Sequence, residues 1–525
     1  MVYSRIVKWI ASLTFMEKFL WVILFVVVIV RIFSVFATPE TAYADATYHL
    51  SVVKDILSNQ DWISGAPPFS YHLILASFFF VTGFPLFWPF IKIIPLIMTL
   101  VFAVLSIVLF KRLFPKNYLL PTILTVSFPF LARIGSSNYI ELFASNLVLA
   151  LLLMFLVFAA PAAKKTAQKF AVLAVLFFLL CFSKINAIIL SPVIALCFFV
   201  LAWRRNEKRT ALLILIIFVA AILSYVLFFA FFVGSVAGDQ DAGKAVKMAG
   251  ADRIIPIFYP QNLFLGYLDF FDVHEKQISF IPAEFQTAGL ILIFIFFLPI
   301  FIFLALGFFS LIPKNKPSFL AFIGGFEMPA FLIFATALFI GFFVNQYGYF
   351  NTRYFIMGAP LVGYLFVKGK DFLVRKLGRV FEKKINTFAV IVVIIFAFYS
   401  IATITFSAVY YSSAEKKSFP VYEYLSSLEN SKIATLSKGK EIVFYTGLDP
   451  RKNLAGPARG FNIDETSPDT ILNYLREGNF THLADIYYPV AEEWNEAYLG
   501  VLVDRGNLEK VFDGGGGKVY QVILK

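Results

Sequence analysis

The chain is poor in cysteine and in charge. Its 525 residues include only two cysteines, Cys181 and Cys197, and both lie in apolar stretches. That excludes a disulfide framework and a cysteine-based metal site. Only 15% of the residues are charged and 60% are hydrophobic, whereas a soluble domain carries charge on about a quarter of its residues. An ordinary soluble globular protein is therefore excluded.

Apolar runs of membrane-crossing length recur between residues 17 and 411. About 20 residues cross a hydrocarbon core as a helix, the structure that satisfies the backbone polar groups there. Basic residues cluster in short loops between these runs, which places the loops in the cytoplasm and predicts about eleven spanning helices, N-terminus inside and C-terminus outside. The net charge of +12 therefore comes from loop residues that orient the protein in a bilayer, and no nucleic-acid partner is expected. The predicted outer segments are 38–88, 134–141, 183–186, 235–286, 346–352 and 412–525.

Two segments stand apart from this series of spans. Residues 69–87 are apolar enough to span, but counting them would move every later basic loop to the outer face. We predict a juxtamembrane or re-entrant helix there, with a full span compensated elsewhere as the alternative. From residue 412 onward, short helical and β-like patterns alternate, which predicts a membrane domain at 1–411 and a small extracytoplasmic α/β domain at 412–525. The predicted elements of that domain are helices at 421–429, 468–477 and 491–503, strands at 441–445 and 481–487, and a hairpin of 508–512 with 518–524.

Two acidic residues lie in the first two outer loops, Asp45 in the first and Glu141 at the end of the second. Asp45 stands at an N-cap position before an amphipathic pattern, and His49, four residues later, shares its helix face. The structural alternative is that Asp45 only caps the helix and His49 only packs at the membrane surface. Glu141 lies at the outer end of the next span, where an acid is costly unless it faces a cavity or a partner. Its structural alternative is a solvated carboxylate at the end of a loop.

Two basic residues interrupt apolar sequence at the same predicted face. Lys184 lies in the short segment 183–186, and Arg353 follows the segment 346–352. Either cation could hold the phosphate of an anionic lipid, the lysine as a point charge. Either could also extend to the headgroups with no specific role.

The order of these motifs resembles the GT-C superfamily of polyprenyl-phosphate-dependent glycosyltransferases, above all the branch that contains protein O-mannosyltransferases and the aminoarabinose transferase of lipid A. Asp45 is similar to the acidic motif of the family's first loop, and Glu141 to its second-loop acid. Three further stretches are similar to family segments: 67–73 (PPFSYHL) to Pro-Pro-Leu-Tyr-Tyr, 182–186 (FSKIN) to Leu-Thr-Lys-Gly, and Arg353-Tyr354 to Arg-Tyr-Leu-Leu-Pro. The first loop departs from the family because Ala46 follows Asp45, so adjacent acids are missing and Glu40 is the candidate substitute.

The resemblance implies transfer of a sugar from a polyprenyl-phosphate donor to an acceptor hydroxyl outside the membrane, with inversion at the anomeric carbon. Asp45 is then the expected base, and cations are expected to stabilise the departing phosphate. The resemblance assigns acceptor or base orientation to Glu141, His49 and Glu40, donor phosphate binding to Lys184 and Arg353, and the lipid groove to Tyr71 and His72. A divalent metal ion, if one is used, is expected on Asp45, His49 and Glu141.

The same resemblance predicts a multi-pass protein of the plasma membrane, with a lipid, glycan or protein as the acceptor. Residues 45–49 also resemble the Asp-x-x-Tyr-His motif of archaeal oligosaccharyltransferases, although the tail lacks their Trp-Trp-Asp motif. Other readings are a lipid-carrier transporter or flippase, which would carry inverted repeats and charges near mid-membrane, and a scaffold that presents the C-terminal domain. Convergence of Asp45, Glu141 and Lys184 on one outward cavity separates the enzyme from the scaffold.

Overall fold

We describe the fold from a computed structural model of the protein. The structure describes residues 13–38, 44–57, 69–84, 90–137, 140–160, 167–228, 260–273, 283–343, 351–428, 431–435, 454–455, 467–486, 493–514 and 516–523. The first helices are α1 (Phe15–Ala37), α2 (Ala44–Leu57), α3 (Phe69–Thr82), α4 (Ile93–Leu113), α5 (Leu119–Val126), α6 (Pro129–Ile134), α7 (Ile140–Ala159), α8 (Ala167–Cys181), α9 (Ile185–Arg204) and α10 (Lys208–Phe228). They are followed by α11 (Pro260–Phe270), α12 (Ala283–Ser310), α13 (Lys316–Gly324), α14 (Glu327–Phe343), α15 (Thr352–Phe355), α16 (Val362–Leu377) and α17 (Glu382–Ser427).

Many of these helices have the length and the apolar composition of membrane-spanning helices. Among the described residues, seven helices are long and apolar enough to cross a membrane, namely α1, α4, α7, α9, α10, α12 and α17. Helices α13 and α14 pass the same test together across a 78° bend, which raises the number to eight. Two shorter apolar helices, α3 and α8, join them. The prediction of a multi-pass α-helical membrane protein is confirmed, while the total of eleven spans and their orientation remain predictions.

A break between α5 and α6 is stabilised from inside the bundle. Pro129 opens α6 and has no N–H for the helix ladder. The buried Arg31 of α1 donates from Nη1 to the carbonyl oxygen of Val126 at 2.9 Å, and its guanidinium lies 5.5 Å from the ring centre of Phe102. A broken helix is tolerated at membrane depth when another group satisfies the freed carbonyl in this way.

Small residues bring α12 and α16 into backbone contact. A Cβ atom on Gly307 would lie 1.9 Å from the carbonyl oxygen of Leu365, and one on Gly369 would lie 1.9 Å from that of Phe303. Close approach through small residues is a usual way for membrane helices to associate, because lipid provides little hydrophobic drive between them. The two glycines therefore fix how α12 crosses α16.

Helix α3 lies in the segment 69–87, which was predicted to be a juxtamembrane or re-entrant helix. Its 14 residues rise about 21 Å, which is short of the roughly 30 Å hydrocarbon core. The Ser70 N–H donates to the carbonyl of Phe182 at 3.2 Å, and the Ser70 hydroxyl donates to the carbonyl of Leu179 at 3.1 Å. These bonds fasten the start of α3 to the end of α8. The helix has the length expected of a non-spanning helix, and its position on the outer surface remains a prediction.

The tail contains a five-stranded sheet of order β2-β1-β3-β5-β4. Strands β1 to β3 pair in parallel, and β5 pairs antiparallel with β3 and β4. Two helices cover one face, and the last turns of α17, through Val421 and Leu425, belong to the apolar cluster on the other. The bounds are β1 (Ile433–Thr435), β2 (Leu454–Ala455), α18 (Pro468–Glu477), β3 (His482–Ile486), α19 (Glu493–Asp504), β4 (Leu508–Gly514) and β5 (Gly517–Val522).

The predicted α/β tail is confirmed, with three differences. The predicted helix at 421–429 is the end of α17, whose 46 residues run straight through the predicted domain boundary at 411/412. The predicted strand at 441–445 lies outside the described residues. Strands β1 and β2 were not predicted, because segments of three and two residues are too short to show a β period.

Candidate functional site

Three charged residues from distant parts of the chain meet at one carboxylate. Glu141 stands in the first turn of α7 and is completely buried. Its Oε1 atom accepts a hydrogen bond from Lys184 Nζ and another, at 2.8 Å, from Arg353 Nε. Lys184 is the residue before α9, and Arg353 belongs to the short helix α15. The predicted meeting of Glu141 with Lys184 is thus observed, and Arg353 joins them.

The cations form the accessible side of this cluster. The side chains of Lys184 and Arg353 are 15% and 31% exposed, whereas that of Glu141 is 0% exposed. Two cations and one carboxylate give the cluster a net charge of +1. Glu141 Oε2 is buried and has no hydrogen-bond partner among the described residues. A molecule that reaches the cluster therefore meets positive charge first, which suits an anionic group such as a phosphate.

A buried histidine pair lies beside the same end of α7. His49 Nδ1 and His72 Nε2 are 2.9 Å apart in a hydrogen bond that joins α2 to α3. The ring of Tyr71 lies 5.9 Å from that of His49 and 5.7 Å from that of Phe143, two residues after Glu141. Helices α2 and α3 thus pack against the part of α7 that carries the charged cluster.

The two residues predicted for the lipid groove are buried. Tyr71 and His72 are each only 1% exposed, because their rings already fill the space between α2, α3 and α7. Both side chains are buried in the protein interior, and their part in a lipid groove remains a prediction.

For Asp45, the predicted base, the structure describes the backbone. Helix α2 begins at Ala44, so Asp45 is the second residue of the helix and not the N-cap residue that was predicted. Its backbone is one turn, about 6 Å along the axis, before His49. The side chain of Asp45 and the whole of Glu40 lie outside the described residues. Whether Asp45 reaches the charged cluster therefore remains a prediction.

Sequence reasoning missed a buried lysine that joins the first two outer loops. Lys92 is 1% exposed and donates from Nζ to the carbonyl of Thr38 at 2.6 Å and to that of Ser136 at 3.3 Å. Thr38 ends α1 ahead of the first loop, and Ser136 lies five residues before Glu141. A lone lysine inside an apolar stretch was the available signal.

An unpredicted ion pair fastens the fourth predicted outer segment, 235–286, to the start of the second, 134–141. Arg133 and Asp272 form a two-pronged pair, with Nε–Oδ2 and Nη2–Oδ1 distances of 2.8 Å, and the side chains are 9% and 0% exposed. Nearby, the Thr352 N–H donates to Asp269 Oδ2, and Thr352 directly precedes Arg353. Helix α11 and the turn after it therefore reach both the second outer loop and the element that carries Arg353.

The loops predicted to share a face are connected to one another. The contacts of Glu141, Lys92, Arg133 and Asp269 link all the predicted outer segments of residues 1–352. The loops predicted to be cytoplasmic make their own contacts, such as Arg205 Nη1 with the carbonyl of Phe158 at 2.8 Å. This grouping agrees with the topology derived from charge, whose absolute orientation remains a prediction.

The described residues do not make a metal site. Glu141 Oε1 already accepts from two cations, and His49 and His72 bind each other. Over the described ranges, no group of three or more His, Cys, Asp or Glu side chains is placed to hold a metal ion. The Asp45 side chain of the predicted ligand set, which also includes His49 and Glu141, lies outside the described residues, so a metal ion on these three residues remains a prediction.

The chain is similar to known proteins in its structure. No family model and no curated protein sequence matches the chain. The crystal structure of ArnT from Cupriavidus metallidurans bound to undecaprenyl phosphate is similar to 97% of this chain over 98% of its own, with a TM-score of 0.56 and 12% identity. The archaeal oligosaccharyltransferase AglB from Archaeoglobus fulgidus, in complex with an inhibitory peptide and a dolichol-phosphate, is similar to 90% of this chain over 70% of its own, with a TM-score of 0.51 and 13% identity. The chain thus has a fold like that of ArnT and AglB, which agrees with the predicted fold class.

Proposed function

We propose that this protein is a membrane glycosyltransferase that moves a sugar from a polyprenyl-phosphate-linked donor to an acceptor hydroxyl on the outer face of the membrane, with inversion. The observation that carries the proposal is the pair of accessible cations on the buried Glu141. It lies in a fold whose solved examples hold undecaprenyl phosphate and dolichol-phosphate. By this proposal, Lys184 and Arg353 bind the donor phosphate.

The cations have a defined task in such a reaction. The bond between the anomeric carbon and the phosphate oxygen breaks, and its electron pair stays on that oxygen. Negative charge therefore grows on the phosphate as the sugar leaves, and fixed cations stabilise that charge more than they stabilise the donor. An arginine and a lysine supply this charge without a protonation step, since both are cationic at neutral pH.

The acceptor hydroxyl must lose its proton as it attacks. We assign Asp45 as the base that takes this proton. A single displacement forms the new bond on the face opposite the phosphate, which inverts the anomeric carbon. The proton remains on Asp45 until product leaves and is then released to water. His49, one turn further along α2 and bonded to His72, holds that part of α2 against α3.

Two other readings have weaker support. Transfer of a glycan to a peptide is suggested by AglB, but the motif that would favour asparagine as acceptor is missing from the tail. A lipid-carrier transporter would be expected to hold charges near mid-membrane at a repeat interface. The charged cluster here stands where helices begin, at the first turn of α7 and just before α9.

Transfer assays on purified full-length protein test the proposal. Labelled polyprenyl-phosphate sugars are offered as donors, and binding of polyprenyl phosphate is measured in parallel. We expect Asp45→Asn to lower turnover by about 100- to 10,000-fold with lipid-phosphate affinity within twofold of wild type. Lys184→Met should weaken that affinity by about tenfold or more, the worth of a charged hydrogen bond.

The matched control is Lys208→Met, which removes an exposed lysine at the start of α10, beyond the opposite end of α9 from Lys184. It should leave binding and transfer at wild-type levels. Equal turnover in wild type and Asp45→Asn would remove Asp45 from the reaction. A wild-type protein that neither binds polyprenyl phosphate nor transfers any sugar from it would contradict the proposed function itself.

A further inference from the structure

The arrangement around Glu141 is unusual for a residue that contacts a substrate. Its carboxylate is 0% exposed, and the two cations that cover it are the exposed members of the cluster. One oxygen, Oε1, accepts from both Lys184 Nζ and Arg353 Nε, so these two nitrogens are at most about 6 Å apart. An acceptor that enters the site meets the cations before it meets the acid.

We infer that Glu141 is a positioning residue, which holds Lys184 and Arg353 together for the donor phosphate and does not orient the acceptor or the base. The inference rests on the proposed function, because the phosphate is the anion that the two cations are proposed to bind. It replaces the role that the sequence suggested for Glu141 with one that its burial and its hydrogen bonds support.

Two cations this close repel each other unless an anion lies between them. Glu141 supplies that anion before any lipid binds, and it does so from the first turn of α7, where the helix dipole favours negative charge. The cluster keeps a net charge of +1, so it remains attractive to a phosphate. A site that is preorganised in this way loses less free energy to reorganisation when its ligand arrives.

The backbone on either side of the cluster is also fixed. The Arg353 N–H donates to Asn351 Oδ1 at 3.0 Å, and Asp269 holds the neighbouring N–H of Thr352. Lys184 follows a turn in which the Ser183 hydroxyl donates to the carbonyl of Leu180 at 2.8 Å. The long side chains of the two cations extend from this fixed backbone, and both end on the same carboxylate oxygen.

A double-mutant cycle on the full-length protein tests this assignment. Affinity for polyprenyl phosphate is measured for wild type, Glu141→Gln, Lys184→Met and the double variant. If Glu141 acts through Lys184, Glu141→Gln weakens binding by about tenfold in the wild-type background and by less than about threefold when Lys184 is already absent. Effects that multiply in the double variant would overturn the inference.

Steady-state kinetics separate positioning from a merely structural role. We expect Glu141→Gln to raise the KM for the donor at least fivefold and to leave the KM for the acceptor within twofold. A raised acceptor KM with unchanged donor binding would return Glu141 to the acceptor side and refute the inference. Glu141→Asp, which keeps the charge but shortens the reach by one methylene, should also weaken donor binding, and wild-type affinity in this variant would contradict the positioning role.

If Glu141→Gln does not fold, Glu141→Asp takes its place in the test, because the aspartate still provides an anion near both cations. Failure of the inference and failure of the proposed function give different results. Wild-type protein that binds no polyprenyl phosphate would defeat the function, whereas wild-type binding without coupling between Glu141 and Lys184 would defeat only the inference.

Discussion

Replacing either member of the Arg133–Asp272 pair should release α11 from the helix bundle. The pair has two hydrogen bonds of 2.8 Å, and its side chains are 9% and 0% exposed. Removing one partner leaves the other as an uncompensated buried charge, which costs about 3–5 kcal/mol. That corresponds to a rise of roughly 150- to 5,000-fold in the population in which α11 is detached.

The choice of variants follows from the local backbone. Asp272 has a φ of 58°, in the left-handed region that asparagine tolerates better than most residues, so Asp272→Asn removes the charge with little added backbone strain. Arg133→Met removes the other charge and keeps much of the apolar stem. The double variant contains neither charge, and we expect it to recover most of the loss.

Thiol labelling measures the detachment directly. A cysteine at Leu268 of α11, a position that is 6% exposed, reacts with a maleimide only when α11 opens, while the natural Cys181 and Cys197 are buried and report on wider unfolding. With the Leu268→Cys protein as the parent, each single variant should label at least about 100-fold faster, and the double variant within about tenfold of the parent. Single variants that label within threefold of the parent would show that the pair does not hold α11. A double variant as fast as the worse single variant would show that the two charges are not coupled.

Two further perturbations test the packing that supports the site. Lys92→Met leaves the carbonyls of Thr38 and Ser136 without this donor, and we expect it to destabilise the protein by about 1–3 kcal/mol, seen as a lower thermal midpoint; an unchanged midpoint would mean that other groups replace the lysine. Gly369→Ala places a Cβ atom 1.9 Å from the carbonyl oxygen of Phe303 and should cost about 1–3 kcal/mol or more, again read from the thermal midpoint. Its control is Gly500→Ala in α19, where a Cβ meets nothing within 4 Å; this change should be neutral or stabilising by up to about 1 kcal/mol, and equal losses in both variants would refute the packing argument.

Local signals in the sequence predicted the elements that depend on local chemistry. Helix α18 was predicted at its observed bounds, and local chemistry accounts for them, since Ser467 caps the helix and Pro468 is its first residue. The hairpin of β4 and β5 was predicted from its alternating pattern around the glycine run. Glu141 and Lys184 were predicted as site residues because a charge in apolar sequence needs a partner.

The features that sequence reasoning missed depend on tertiary contacts. Arg133 and Asp272 are 139 positions apart, and nothing local in either segment indicates the other. Lys92 bonds to backbone carbonyls, which carry no residue-specific signal at all. The length of α17 was missed because the charged residues after Tyr410 look like the end of a span, whereas the helix continues through them to Ser427.

Because α17 also supplies one layer of the terminal domain, a single helix joins that domain to the predicted spanning segment. The turns between Tyr410 and Ser427 extend the rod by roughly 25 Å, and Val421 and Leu425 at its tip are embedded among strand residues of the sheet. A change in the tilt of α17 would swing the sheet through an arc, and a rotation about the helix axis would turn it by the same angle. The tilt and the rotation of α17 therefore set the position and the orientation of the terminal domain.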